Sequence, residues 1–127
     1  MTISFDHHRP IYLQLKEYLY SGICRGERPP GEKLPSVREF AVEAGVNPNT
    51  VSRTYSEMER DGVAVSKRGQ GTFVTTEEHI IDKLRVELAE SQVDAFLQSM
   101  ERMGLPPHKI VELIKDRAEN SSKEDPS

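Results

Sequence analysis

Two helix starts placed close together, at Ser36 and Asn47, constrain this chain more than any other feature. Ser36 followed three residues later by Glu39 has the spacing of a capping box. Val37, Phe40, Ala41 and Ala44 then share one helical face, and Gly45 stops the helix. Asn47 is an N-cap type, and Pro48 suits the first helical position because its missing N–H would have had no partner there. Behind them Val51, Tyr55 and Met58 recur at i, i+4 and i+7 until Asp61–Gly62 closes the helix. The chain between the two helices leaves a turn of about four residues containing Gly45, with Val46 as its apolar member. That spacing predicts a helix-turn-helix.

The flanks extend it. Pro10 opens a preceding helix over about Pro10–Arg25, with Ile11, Leu15, Tyr18, Leu19 and Ile23 at helical spacing. Gly22, Gly26 and Pro29–Pro30–Gly31 end it in a loop. Val63–Ser66 and Thr72–Thr75 read as strands joined by Lys67–Arg68–Gly69–Gln70–Gly71. A helix-turn-helix followed by such a hairpin is a winged helix-turn-helix, so the fold class is mainly α with a small β-hairpin. From Glu77 a helical stripe of Ile80, Ile81, Leu84, Leu88, Phe96, Leu97, Met100 and Met103 runs for about seven turns to a Gly104 cap. Pro106–Pro107 open another helix with Ile110, Leu113 and Ile114 inward. The expected organisation is a winged domain over 1–76, a helical region over 77–120 and a disordered polar tail over 121–127.

Charge bears on what such a fold can bind. The chain carries 17 Lys and Arg against 21 Asp and Glu, a net charge of −4. Residues 1–76 hold ten basic and nine acidic side chains, whereas residues 77–127 hold seven and twelve. No acid occurs from Gly62 to Thr76, where Lys67 and Arg68 stand together. A local cationic surface is therefore compatible with an acidic chain. No apolar run approaches the ~18 residues of a spanning helix, and MTISFDHHRP lacks the pattern of a secretory signal. The single Cys24 permits no intrachain disulfide and fits a reducing compartment. A soluble cytoplasmic protein is expected.

No catalytic set appears. His7, His8, His79 and His108 are scattered, and neither H-x-x-x-H nor C-x-x-C occurs, so neither a metal nor a cofactor is expected. Glu77–Glu78 suit the positive end of a helix better than acid–base work. The Gly-rich turn is not a nucleotide loop, since a strand follows it and no Lys-Ser/Thr does.

The helix from Asn47 does have the make-up of a recognition helix. An apolar back holds it, while Asn49, Thr50, Ser52 and Arg53 stand on the early turns with Asn47 at the cap. Asn suits adenine, Thr a thymine methyl or a hydrogen-bond partner, and Arg guanine or phosphate. The alternative is a solvated surface helix whose Asn47 amide is consumed as a cap. Ser36 and Arg38, two residues after it, lie where the first helix of such a motif crosses the DNA backbone and are both candidate DNA contacts; otherwise Arg38 pairs with Glu39, Glu43 or Glu59. Lys67, Arg68, Gly69, Gln70, Gly71 and Thr72 form a wing suited to phosphate or the minor groove, although hairpins need glycine regardless.

Leu34–Ala41 (LPSVREFA), Val46–Tyr55 (VNPNTVSRTY), Glu59–Gly62 (ERDG) and Arg68–Val74 (RGQGTFV) together resemble the DNA-binding domain of GntR-type bacterial transcription regulators. Pro10–Leu15 (PIYLQL) and the Asn-Pro-Asn-Thr segment are most similar to its small YtrA-type subgroup. The resemblance covers about residues 5–76. It implies backbone contact by Arg38, base contacts by Asn49, Thr50, Ser52 and Arg53, and minor-groove contact by Arg68, Gly69 and Gln70. Some larger members carry Arg where this chain has Pro48, so their operator sequences do not transfer.

The resemblance also implies a short helical dimerisation region. The long apolar stripe calls independently for a second copy, because a small winged domain and one short helix cannot cover it. The expected interface is Ile80, Ile81, Leu84, Leu88, Phe96, Leu97, Met100, Met103, Ile110, Leu113 and Ile114. The expected function is a homodimeric regulator, a repressor rather than an activator, on near-palindromic operator DNA, with room for an unidentified small-molecule effector and no membrane partner. The competing reading is a winged-helix protein-interaction adaptor without specific DNA binding.

Overall fold

The computed structural model describes residues 3–124, with side chains through residue 121. Its elements are α1 (Ile11–Cys24), α2 (Val37–Ala44), α3 (Pro48–Arg60), β1 (Ala64–Lys67), β2 (Gly71–Val74), α4 (Glu78–Arg102) and α5 (Pro107–Glu124). The chain divides into two compact units at Val86/Glu87, within α4.

Local signals set the helix ends of the first unit. Ser36 Oγ accepts the Glu39 N–H at 3.1 Å, and Gly45, at φ +71°, ends α2 in the left-handed conformation. Asn47 Oδ1 accepts the Asn49 N–H at 2.8 Å ahead of Pro48. Pro10 offers α1 no side-chain cap. Instead the Gln14 side chain clamps the incoming segment: its Oε1 accepts the Asp6 N–H, and its Nε2 donates to the carbonyls of Asp6 and Arg9.

The core of this unit joins Leu15, Leu19 and Ile23 of α1 with Phe40 of α2, Val51 and Met58 of α3, and Leu34, Val63 and Val74 around the hairpin; all are buried. Of the stripe expected on α1, Tyr18 and Ile11 are only half-buried. Tyr20 is buried in their place, and its hydroxyl donates to Asp61 at 2.6 Å. The buried face of α1 is thus broader than a simple stripe, because α3 packs along it and supplies a polar partner.

The strands sit one residue nearer the turn than the sequence predicts, because Lys67 pairs with Gly71. Thr75 lies just past β2; its N–H still donates in register to the Val63 carbonyl, and its hydroxyl accepts the Glu77 N–H ahead of α4. The segment read as loop before Leu34 pairs with the outer edge of β2. Gly31 N–H donates to the Val74 carbonyl, Val74 N–H to Glu32, and Leu34 N–H to Thr72, placing Lys33 opposite Phe73. A minimal third strand therefore covers one edge of the hairpin.

Ile81 and Leu84, in the first turns of α4, are buried within this unit. Arg85 donates to the Cys24 carbonyl at the end of α1, at 2.9 Å from Nη2. In the second unit Gly104, at φ +82°, ends α4 as expected, and α5 continues to Glu124, so residues 121–124 of the predicted tail are helical. The rest of that tail lies outside the described residues. No helix among them is long and apolar enough to cross a membrane.

Candidate nucleic-acid interface

Successive side chains on a helix turn by about 100°. Burial of Val51, Thr54, Tyr55 and Met58 therefore fixes the opposite face of α3, where Asn49, Ser52, Arg53, Ser56 and Arg60 are exposed. The Tyr55 hydroxyl donates to the Pro35 carbonyl at 2.8 Å and ties α3 to the start of α2. Burial pushes that phenol up to about 12, so it stays a neutral donor.

The predicted contact residues separate by availability. Asn49, Ser52 and Arg38 are exposed, with no side-chain hydrogen bond or ion pair among the described residues. The acids expected as alternative partners of Arg38 do not pair with it there. Asn47 and Ser36 have their side-chain oxygens committed as caps. Thr50 is half-buried. Arg53 is exposed but engaged: its guanidinium lies 3.7 Å from the centroid of the Tyr12 ring, and its Nε is 3.8 Å from Glu57.

Acids on the far half of α3 and at its end have local partners. Glu57 has Lys16 Nζ at 3.1 Å and Arg60 Nη2 at 3.5 Å in addition to Arg53. Asp61 has Lys16 Nζ at 3.5 Å and accepts from Tyr20, whose phenol is pushed above its ordinary range by burial and then by that carboxylate. Glu59 is hydrogen-bonded to the Ser66 hydroxyl on β1. These pairings leave the amino-terminal half of α3, with its positive helix end, as the open part of the outward face.

The wing tip projects Lys67, Arg68, Gly69, Gln70 and Gly71 into solvent, with Thr72 half-buried at its base. Gln70 N–H closes the turn onto the Lys67 carbonyl at 2.9 Å, and Gly69 takes φ +77° as the third turn residue requires. Lys67 Nζ stands 4.6 Å from the Phe73 ring centroid. On the other side Lys33 crosses Gly71 so closely that a Cβ there would lie 2.9 Å from Lys33 Cε. Lys33, Lys67 and Arg68 thus make a three-cation wing.

Sequence reasoning missed Lys33, Ser56, Arg60 and Tyr12. Ser56 and Arg60 were within reach of the period that placed Asn49. Lys33 and Tyr12 arrive through contacts distant in sequence and leave no local signal.

The expected dimer residues also divide. Ile81, Leu84 and Ile110 are buried in the single chain and offer no free face. Ile80, Leu88, Leu97 and Met100 are half-buried, whereas Phe96, Met103, Leu113 and Ile114 are exposed, joined by Val86, Val93 and Val111. A shallow cavity of about 310 Å³, lined by Ile23, Gly26, Pro30, Glu78, Ile81, Asp82 and Arg85, lies between the end of α1 and the start of α4.

The profile of the bacterial regulatory proteins, gntR family, matches residues 11–74. The chain is 44% identical to the uncharacterized HTH-type transcriptional regulator YhcF of Bacillus subtilis (strain 168), over 91% of this chain and 95% of that protein. It is 35% identical to the HTH-type transcriptional repressor YtrA of the same organism, over 84% and 78%. Its fold matches a GntR family transcriptional regulator from Listeria monocytogenes with a TM-score of 0.81 at 34% identity, covering 88% of this chain and 98% of that one. The AraR DNA-binding domain in complex with operator ORX1 matches with a TM-score of 0.54 at 28% identity, covering 59% and 95%.

Proposed function

The chain belongs to the GntR family of bacterial regulatory proteins, whose members regulate transcription rather than catalyse reactions, and on that premise we propose that it is a cytoplasmic repressor binding a near-palindromic operator as a homodimer. Each protomer lays the amino-terminal half of α3 in a major groove. Asn49 and Ser52 meet base edges, with Thr50 and Arg53 beside them. Arg38 holds a phosphate and sets the register, and the wing of Lys67, Arg68 and Gln70, extended by Lys33, takes phosphates or the minor groove.

One observation carries this reading: Asn49, Ser52 and Arg38 stand exposed and without a side-chain partner among the described residues, the 62–76 segment that forms the hairpin contains no acid, and the acids further along α3 already have cationic or hydroxyl partners. The operator complex of AraR supports the same use of the fold, and the similarity to YtrA, a transcriptional repressor, supports repression over activation. Exposed Val93, Phe96, Met103, Leu113 and Ile114 support association of two copies, because an apolar surface of this extent is costly in a solitary protomer.

A mobility-shift titration on the upstream region of its own gene tests this. Binding is expected to weaken steeply with salt as phosphate-bound counterions are released, and sedimentation is expected to give the mass of two subunits. No binding to any duplex at low salt would favour an adaptor instead.

A further inference from the structure

Arg53 is a predicted DNA-contacting side chain that the fold holds against a ring while leaving it exposed. Its guanidinium lies face-on to Tyr12, in the first turn of α1, with Cζ 3.7 Å from the ring centroid. The side chain remains 62% exposed there, so the ring contact does not bury it. The platform beneath it is tied to both helices by hydrogen bonds. Fully buried Thr54 shares its hydroxyl between the Thr50 carbonyl, at 2.9 Å, and the Tyr12 carbonyl, at 3.2 Å. The chain leading into Tyr12 is clamped by Gln14. Glu57 approaches only the Nε side, at 3.8 Å.

An exposed arginine ordinarily samples many rotamers and loses that freedom on binding. A guanidinium stacked on a ring has already lost much of it, and its planar fork still points donors outward. We propose that Tyr12 is a positioning residue for DNA recognition: its ring presents Arg53 at the α1 edge of the recognition helix for a bidentate contact with a pair of acceptor oxygens or nitrogens. This inference rests on the DNA-binding reading above. Guanine O6/N7 and a phosphate both offer that acceptor pair.

The test is selection of duplexes from a random pool by the full chain, followed by a double-mutant cycle on the selected duplex. Wild type is expected to enrich a motif, and Tyr12→Phe, which keeps the ring, to enrich the same motif at the same affinity. Tyr12→Leu is expected to bind about fivefold more weakly. In an Arg53→Ala background, Tyr12→Leu is expected to add no further loss. If guanine is the acceptor, the Tyr12→Leu motif degrades at one position; if phosphate is, affinity falls for all sequences and the motif is unchanged. Thermal melting checks that each variant is folded. An equal loss from Tyr12→Leu with and without Arg53, or no loss at all, would overturn the inference while leaving the functional reading intact. A folded wild type that enriches no motif would overturn both.

Discussion

The unit ending at Val86 and the unit beginning at Glu87 solve the burial problem in opposite ways. In the first, Phe40, Leu15, Leu19, Met58 and Val51 are fully buried. Its buried polar atoms have partners, as Thr54 and Tyr55 illustrate. In the second, Ile110 is the one buried apolar side chain among the described residues, and Phe96, Met103, Leu113 and Ile114 face solvent. Helix propensity alone does not hold two such helices together in water. The first unit is complete as one copy, whereas the second has an apolar surface that a partner copy would complete. The lesson is that one chain can join a unit with a filled core to a unit that leaves apolar side chains in solvent, and only the second is expected to depend on protein concentration.

The comparison can be broken most decisively in the winged core. Phe40→Ala is expected to cost about 3–5 kcal/mol, because a fully buried aromatic leaves a cavity. Thermal or urea unfolding reads this, and the cost is expected to be independent of protein concentration. The next test falls on the second unit. Leu113→Asp with Ile114→Asp is expected to shift sedimentation from two subunits to one, while the near-ultraviolet signal of the winged unit is retained. A dimer surviving that change would place the interface elsewhere.

Smaller effects sharpen the division of labour within the first unit. Arg38→Ala is expected to weaken binding to all duplexes alike and to reduce the salt slope by about one, as loss of a single phosphate contact does. Its melting temperature should not move, since the side chain has no partner among the described residues. Asn47→Ala should do the reverse in large part. It removes the α3 cap and is expected to cost about 1 kcal/mol of stability, with motif preference unchanged once the protein is folded.

What could be read in the sequence was local. Ser36, Gly45, Asn47 and Gly104 act on backbone within a few residues; Ser36 and Asn47 start helices and Gly45 and Gly104 stop them where their chemistry predicts. The outward row of α3 followed from its buried row. What escaped depends on distant partners. The pairing of residues 31–34 with β2 needs only a few backbone bonds and shows no alternating pattern. Tyr12 meets Arg53 only once α1 packs on α3. Ile81 and Leu84 belong to the long periodic stripe, and periodicity cannot tell whether a stripe packs within its own unit or against a partner.

The Asn47 cap has an evolutionary corollary. That amide, with Pro48 behind it, starts the helix, and Val51 and Met58 anchor it, so the foundations of α3 lie outside its exposed row. The side chains of Asn49 and Ser52 are exposed and make no hydrogen bond or ion pair among the described residues. If Asn49 and Ser52 meet base edges as proposed, a descendant arising by gene duplication could acquire a new set of target promoters through a few substitutions there while inheriting its parent's fold unaltered.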